Sequence, residues 1–419
     1  MKRAVITILG IQGGYVADNK ATINDKTHIA NYIFEKKEKE YFNTLPLLID
    51  KYKDEYEIIP IYTKDAKNFN EKVFEELYPN LQVNYDEKYL IKDEKDFKDI
   101  FALYHNALDE FNEVIIDVTH GFRHLPLLMI VELILYNFQD TTKIKKILFA
   151  KENKKHTPKE KGIYEIIDLK EYLELANISF VLTAFDKNYT VASHIDSVKY
   201  QALLDALNNF SNDLMALNLN NLFDNSIGAL KDELNKIDEV SISAQAQKLY
   251  GHINTKFNKS EKRYLTYYHL SKELFEKKYM LISLSLLNES LRLYIKTAIK
   301  KEHKEIVEKI EEFYDNDLYK IGDFFVKLNK SKYKKFENRI KNDNKTVPIE
   351  SNEFTQIKNA FPIKVKEKIT INNQEKTLID HIGHKRNNLA HANSSIVSFD
   401  TIHKDIELLI EEFENRCIE

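Results

Sequence analysis

Short apolar runs alternate with amphipathic stretches along the first part of the chain. Ala4 to Leu9 is β-branched with no polar alternation beyond Thr7, and Val114 to Val118 repeats that pattern. Runs of this kind belong to strands buried on both faces of a largely parallel sheet. Tyr56 to Thr63, Ile144 to Ala150 and Ile163 to Leu169 read as further strands. Tyr41 to Tyr52 reads as a helix with apolar Leu45, Leu47, Leu48 and Ile49. Leu127 to Phe138 continues from Pro126 as a helix apolar nearly all round, hence buried. Alternating strands and helices predict a doubly wound α/β sheet.

Beyond Tyr172 the pattern changes to long segments of helical period with few prolines or glycines. The expected organisation is an α/β domain over residues 1–172 and a mainly α-helical domain over 173–419. Lys272 to Lys300 reads as one long helix with a core stripe of Leu274, Leu281, Leu284, Leu287, Leu291 and Ile295. Glu289 and Arg292 interrupt the stripe, and the plain reading of that pair is a surface contact. Tyr314 to Lys345 is basic with Phe324, Phe325, Tyr333 and Phe336 interleaved. It suits either a grip on single-stranded RNA by charge and stacking or a helix with a wet face. Lys364 to Thr377 alternates like a β-hairpin, Gly383 marks a break, and Lys385 to Ser394 opens a helix with Arg386 at the junction. His381 and His384 read as surface or loop positions, and Asp400 to Phe413 as a closing amphipathic helix.

Charge narrows the partners. The 62 basic and 66 acidic residues nearly cancel, so a nucleic acid must meet a local basic patch instead of a global field. Cys417 is the single cysteine, which excludes an intrachain disulfide and a cysteine-cluster zinc site and fits a reducing compartment, the cytoplasm. No membrane association is expected: the longest apolar run, Leu125 to Tyr136, contains Glu132 and is too short to span a bilayer. The apolar start of the chain stops at Gly10 and reads as a strand, not a signal peptide.

Candidate chemistry gathers in three places. Gly10, Gly13 and Gly14 follow the first strand, where backbone without Cβ atoms lets a ligand approach, or where the chain merely turns tightly from strand to helix. The pattern is not Gly-x-Gly-x-x-Gly, which disfavours a dinucleotide cofactor. After Val118 come Thr119, His120, Gly121, Arg123 and His124; a strand end, a glycine and an opening helix suit phosphates, with a capping or core histidine as the other reading of His120. Ligands of open α/β sheets lie beyond the carboxyl ends of strands, and both glycine loops fall there.

The third place is Arg386 and His391. With seven arginines and 13 histidines in the chain, chance supplies about 0.2 matches to Arg-x4-His, and the chain has one. RNA carries its own nucleophile, the 2′-hydroxyl, so scission needs a base, an acid and positive charge on the phosphate, and no metal. A histidine serves as acid or base near neutral pH, and a guanidinium holds two phosphate oxygens. One copy of the motif offers one of each; a homodimer placing two copies across a two-fold axis supplies both roles. The products would carry 2′,3′-cyclic phosphate and 5′-hydroxyl ends.

The stretch Ile115-Ile116-Asp117-Val118-Thr119-His120-Gly121-Phe122-Arg123, set after Gly10-Ile11-Gln12-Gly13-Gly14, resembles the CARF sensor domain of CRISPR-associated proteins. Arg386-Asn387-Asn388-Leu389-Ala390-His391 resembles the Arg-x4-His motif of HEPN ribonucleases. The combined resemblance covers nearly the whole chain. It implies a Rossmann-like sensor followed by a helical effector: an accessory RNase of type III CRISPR defence, activated by cyclic oligoadenylate bound across a dimer. It assigns Gly10, Ile11, Gln12, Gly13, Gly14, Thr119, His120, Gly121 and Arg123 to the ligand, and Arg386, Asn387 and His391 to cleavage of single-stranded RNA. The Asp-x-Thr-His-Gly form is most similar to members answering to cyclic tetra-adenylate, with the six-adenylate ring as the other option. No winged-helix segment of the kind some relatives insert is identifiable. Two rival readings stand beside this one: a non-catalytic nucleotide-sensing regulator, and a constitutive HEPN toxin RNase.

Overall fold

The structure, a computed structural model, describes residues 1–23, 29–157, 160–191, 195–342, 348–391 and 397–418. The chain divides into two compact units, one of Met1–Phe185, Thr190–Asp205 and Asp238–Gln245, the other of Asp186–Tyr189, Ala206–Ile237 and Ala246–Glu419.

The first unit is α/β. Its strands are β1 (Arg3–Ile8), β2 (Gly14–Ala17), β3 (Lys20–Ile23), β4 (Ala30–Phe34), β5 (Lys37–Tyr41), β6 (Glu57–Ile61), β7 (Glu113–Asp117), β8 (Ile144–Lys154) and β9 (Ile163–Asp168). Its helices are α1 (Thr44–Tyr52), α2 (Lys64–Leu77), α3 (Phe97–Asp109) and α4 (His124–Asn137), and α5 (Lys170–Asn188) begins in it. Seven strands make one sheet in the order β5-β4-β9-β8-β7-β1-β6. β6, β1, β7 and β8 run parallel, but β9 is antiparallel to β8 and β5 to β4, so the sheet is mixed. Alternate residues of β1 serve opposite faces: Ala4, Ile6 and Ile8 pack with side chains of α3 and α4, and Val5 packs with Leu47, Leu48 and Tyr52 of α1.

The glycine loop after β1 does not open a helix. Gly14 starts β2, which pairs with β3 in a separate antiparallel hairpin turned by Asp18 and Asn19 at φ 48° and 60°. A second hairpin, β4 with β5, turns at Glu35 and Lys36, so Tyr41 ends a strand and the next helix starts at Thr44. Asn43 sets that start: its backbone is extended and its side chain accepts from the Leu45 N–H. β8 runs past the expected end at Ala150 to Lys154. α4 is not buried all round. Leu127, Val131 and Leu135, spaced one turn apart, are 66, 46 and 51% exposed.

The second unit is helical. It contains most of α6 (Gln201–Met215), then α7 (Leu219–Asn221), α8 (Ile227–Asn235), most of α9 (Val240–Lys256), α10 (Arg263–Glu276), α11 (Met280–Glu302), α12 (Lys304–Phe313), α13 (Leu318–Asn329) and α14 (Tyr333–Asn342). After these come α15 (Ser351–Ala360), α16 (Ile363–Lys366), β10 (Lys368–Ile371), β11 (Gln374–Thr377), α17 (Leu378–Ala390) and α18 (Phe399–Cys417). The expected single helix over Lys272 to Lys300 is two, α10 and α11. Lys278 sits at φ 67°, and the Tyr279 N–H bonds back to the Leu274 carbonyl at 2.9 Å, a helix-ending motif made here without glycine. The two helices run antiparallel, since Ser271 bonds the Ser283 carbonyl and Ser290 the Tyr264 carbonyl.

Around α11 the core absorbs residues whose sequence suggested other work. Phe324, Phe325 and Phe336 are buried in it, so their rings are not a stacking surface for RNA and the wet-face reading holds. Residues 343–347 of that basic stretch lie outside the described residues. The hairpin before the motif is present as β10 and β11, turned by Asn372 and Asn373 at φ 50° and 62°. Gly383 is no break. It lies inside α17, which begins at Leu378 because Thr377 caps the Asp380 N–H. The closing helix runs longer than expected, from Phe399 to Cys417. Among the described residues no helix is long and apolar enough to cross a membrane.

Candidate functional site

β1 and β7 are parallel neighbours, so the loops that follow them emerge together at the carboxyl edge of the sheet. The approach is close: a Cβ on Gly10 would lie 2.6 Å from the Gly121 nitrogen, and one on Gly121, whose φ is +100°, would lie 2.7 Å from the Ile8 side chain. Only glycine fits at either place. Gly14 has a different reason to be glycine, since its Cβ would strike the Thr22 carbonyl and the Phe69 ring. Protein atoms thus explain these glycines before any ligand does.

Beneath the loops lies Asp117, buried at the end of β7. Its carboxylate accepts from the hydroxyls of Thr7 (2.8 Å), Thr44 (2.7 Å) and Thr119 (2.5 Å), and from the Thr119 N–H (3.1 Å). Thr119 oxygen in turn accepts from the Ala150 N–H at 2.9 Å. His120 Nε2 accepts from the Thr44 N–H at 3.3 Å, which places its proton on Nδ1. Burial pushes the imidazole below the ordinary histidine range against the pull of Asp117. Thr119 and His120 are therefore tied to the frame of the loops. Asn70 bridges the same region, donating to the Gly10 carbonyl at 3.1 Å while accepting from Asn43 at 2.9 Å.

What this edge leaves outward is different in kind. Ile11, Tyr15 and Phe122 are 38, 49 and 50% exposed. Arg123, exposed just before α4, makes no hydrogen bond or ion pair among the described residues. Gly13 holds φ +74°, and Gln12 Oε1 is buried without a partner.

In the second unit, α17 carries the other candidates. Its inner face is Leu378, His381 and Ile382, all buried; His381 is no surface residue, because its Nε2 bonds the Ile369 carbonyl of β10 at 3.1 Å. Arg386 stands in the helix interior instead of at a junction and is half-buried, with Nη1 donating to Asn387 Oδ1 at 3.2 Å. Asn387 is exposed, and its carbonyl accepts the His391 N–H at 3.0 Å. His391 is exposed at the C-terminal cap. Among the described residues no hydrogen bond joins Arg386 to His391. Five residues of helix separate their directions by about 140°.

Glu289 and Arg292 of α11 are not the surface pair that their spacing suggested. The Arg292 side chain is 11% exposed, lies 4.9 Å over the Tyr319 ring and fills the space left by Gly322. Its nearest carboxylates are Glu289 at 3.7 Å and Asp323 at 4.0 Å, and its Nε and Nη1 are buried without hydrogen-bond partners. Burial raises the Glu289 carboxyl above its ordinary range, and Arg292 and then Arg386 pull it down. Glu289 thus sits within the field of the motif arginine. The signal was in the sequence: two charges breaking an otherwise apolar stripe.

No family model matches the chain, and no curated protein gives a significant match. Among solved structures, Enterococcus italicus Csm6 bound to cyclic hexa-2′-fluoro-hexa-dAMP overlaps 100% of this chain and 93% of its own at 12% identity, with a TM-score of 0.37.

Proposed function

We propose that the chain is an RNA endonuclease switched on by a cyclic oligoadenylate, an accessory RNase of the type III CRISPR kind, with residues 1–172 as sensor and 173–419 as effector. What carries the reading is the state of α17. Arg386 and His391 both reach solvent, yet they diverge along the helix, so one copy leaves each group without the other. A second copy of α17 supplies what is missing. Within such a dimer the guanidinium of Arg386 neutralises the phosphate, Asn387 positions it, and imidazoles of His391 take the 2′-hydroxyl proton and return one to the leaving 5′-oxygen. Glu289, by its charge, orients Arg386.

The sensor edge supports a ligand with phosphates and flat bases. Arg123 is free for a phosphate, Ile11, Tyr15 and Phe122 offer apolar surface to adenine, and Gln12 Oε1 would accept from an exocyclic amine. Gly10, Gly13, Gly14 and Gly121 shape the floor, and Thr119 and His120 hold it through Asp117 and Thr44. The exposed stripe of α4 fits a dimer contact. Cyclic tetra-adenylate is the expected activator, by the Asp117-x-Thr119-His120-Gly121 form.

The test incubates wild-type and His391→Ala protein with single-stranded RNA in EDTA, with cyclic tetra-adenylate, cyclic hexa-adenylate or neither. Ring-dependent scission to 2′,3′-cyclic phosphate ends, lost in the variant, supports the proposal. Ring binding with no scission would make the protein a sensing regulator, and equal scission without a ring would make it a constitutive RNase.

A further inference from the structure

Beside α17 lies a cavity of about 260 Å³ that the motif residues do not account for. Its floor is aliphatic, drawn from Leu284, Ile406 and Ile402, and α17 contributes His384 and Asn388 to its wall. Those two are joined: Asn388 Nδ2 lies 3.3 Å from His384 Nδ1. With Asn388 Nδ2 donating, Nδ1 accepts and the neutral ring carries its proton on Nε2; burial, then Lys376 and Lys385, shift the imidazole below the ordinary range. A ring N–H donor and the Asn388 Oδ1 acceptor therefore stand one helical turn apart above the aliphatic floor, with Asn372 and Gln374 also in the lining. Lys385, also in the wall, is paired with the Asp405 carboxylate, so the lining is not dominated by free charge.

Helix geometry connects the cavity to the motif. His384, Asn388 and His391 are spaced i, i+4 and i+7, so His391 lies within about 20° of the direction of His384 and about 5 Å along the axis beyond Asn388. That rise is of the order of the distance from a nucleobase to its own phosphate. A flat heterocycle with mixed donors and acceptors on its edge, joined to a phosphodiester, matches such a seat.

We propose that this cavity is a nucleobase subsite: it seats one base of single-stranded RNA, reads its edge through His384 and Asn388, and presents the adjoining phosphate to His391. The inference rests on the ribonuclease reading and adds to it a source of sequence preference.

The test measures binding of the four nucleoside 3′-monophosphates to wild-type, Asn388→Ala and Ile402→Phe protein, with thermal melts to confirm that each variant folds. In wild-type protein the best base should bind about tenfold tighter than the worst. Asn388→Ala should shrink that spread to about twofold, and Ile402→Phe, which fills the seat, should weaken every base. Four equal affinities untouched by Ile402→Phe would overturn the subsite. Cleavage of RNAs with each base at one position is run in parallel. Scission without any base preference rejects the subsite and keeps the ribonuclease; selective mononucleotide binding with no scission keeps the subsite and rejects the ribonuclease.

Discussion

Asp117 shows how a single buried carboxyl group ties together neighbouring segments at the carboxyl edge of the sheet. It accepts four hydrogen bonds from three threonines that belong to β1, α1 and the loop after β7. Removing it in Asp117→Ala strands those donors, each worth about 1–3 kcal/mol when left unsatisfied in the interior. Urea unfolding should show a loss of about 3 kcal/mol, and the variant should also fail to bind the ring. Glu289 acts at the same scale with a different sign. Its carboxyl is raised by burial in the folded chain, so the folded state holds its proton to higher pH than the unfolded state does. This group therefore costs stability as pH rises from the ordinary glutamate value of 4.5 through its raised folded value, and the cost persists above it. Glu289→Gln should flatten that part of the stability profile in urea titrations at successive pH values. On the proposed function, the same variant should lower RNA cleavage by about tenfold or more, because Arg386 would lose the carboxylate whose field it shares. Asp117's bonds were not legible from the chain alone, and Glu289 showed only as a charge interrupting an apolar stripe. The motif at Arg386 and His391 is local and visible as a spacing, whereas Asp117 and Glu289 acquire meaning only from residues 73 to 110 positions away or on another helix.

Among the elements, the buried strands were legible from their apolar runs, while the turns at Glu35–Lys36 and at Lys278 were not. Val114 to Val118 was readable as a strand because continuous burial leaves a continuous apolar run. The hairpin at Glu35 and Lys36 was not, since neither is a residue that favours positive φ, and both adopt it under the pairing of β4 with β5. The break at Lys278 was hidden likewise by the absence of glycine. α4 misled in the other direction: an all-round apolar sequence signals burial, yet Leu127, Val131 and Leu135 face outward. That mismatch has a consequence for assembly. Val131→Lys with Leu135→Lys should convert a dimer to a monomer in sedimentation equilibrium while leaving the thermal melt of the chain nearly unchanged, since exposed positions contribute little to folding. A dimer surviving that pair would move the contact elsewhere.

For the whole molecule, the activation proposed above would be a coupling free energy between the edge that carries Arg123 in one unit and α17 in the other. Arg123 makes no structural bond among the described residues, so Arg123→Ala should leave folding intact while raising the ring concentration needed for half-maximal cleavage by about tenfold or more. The most direct measurement of the central claim is the rate of single-stranded RNA cleavage in EDTA, with and without a saturating cyclic oligoadenylate, at one protein concentration above the dimer dissociation constant. The account predicts a rate that rises by about a hundredfold or more with the ring and falls to background in His391→Ala. A rate indifferent to the ring, or one that survives the loss of His391, would contradict it.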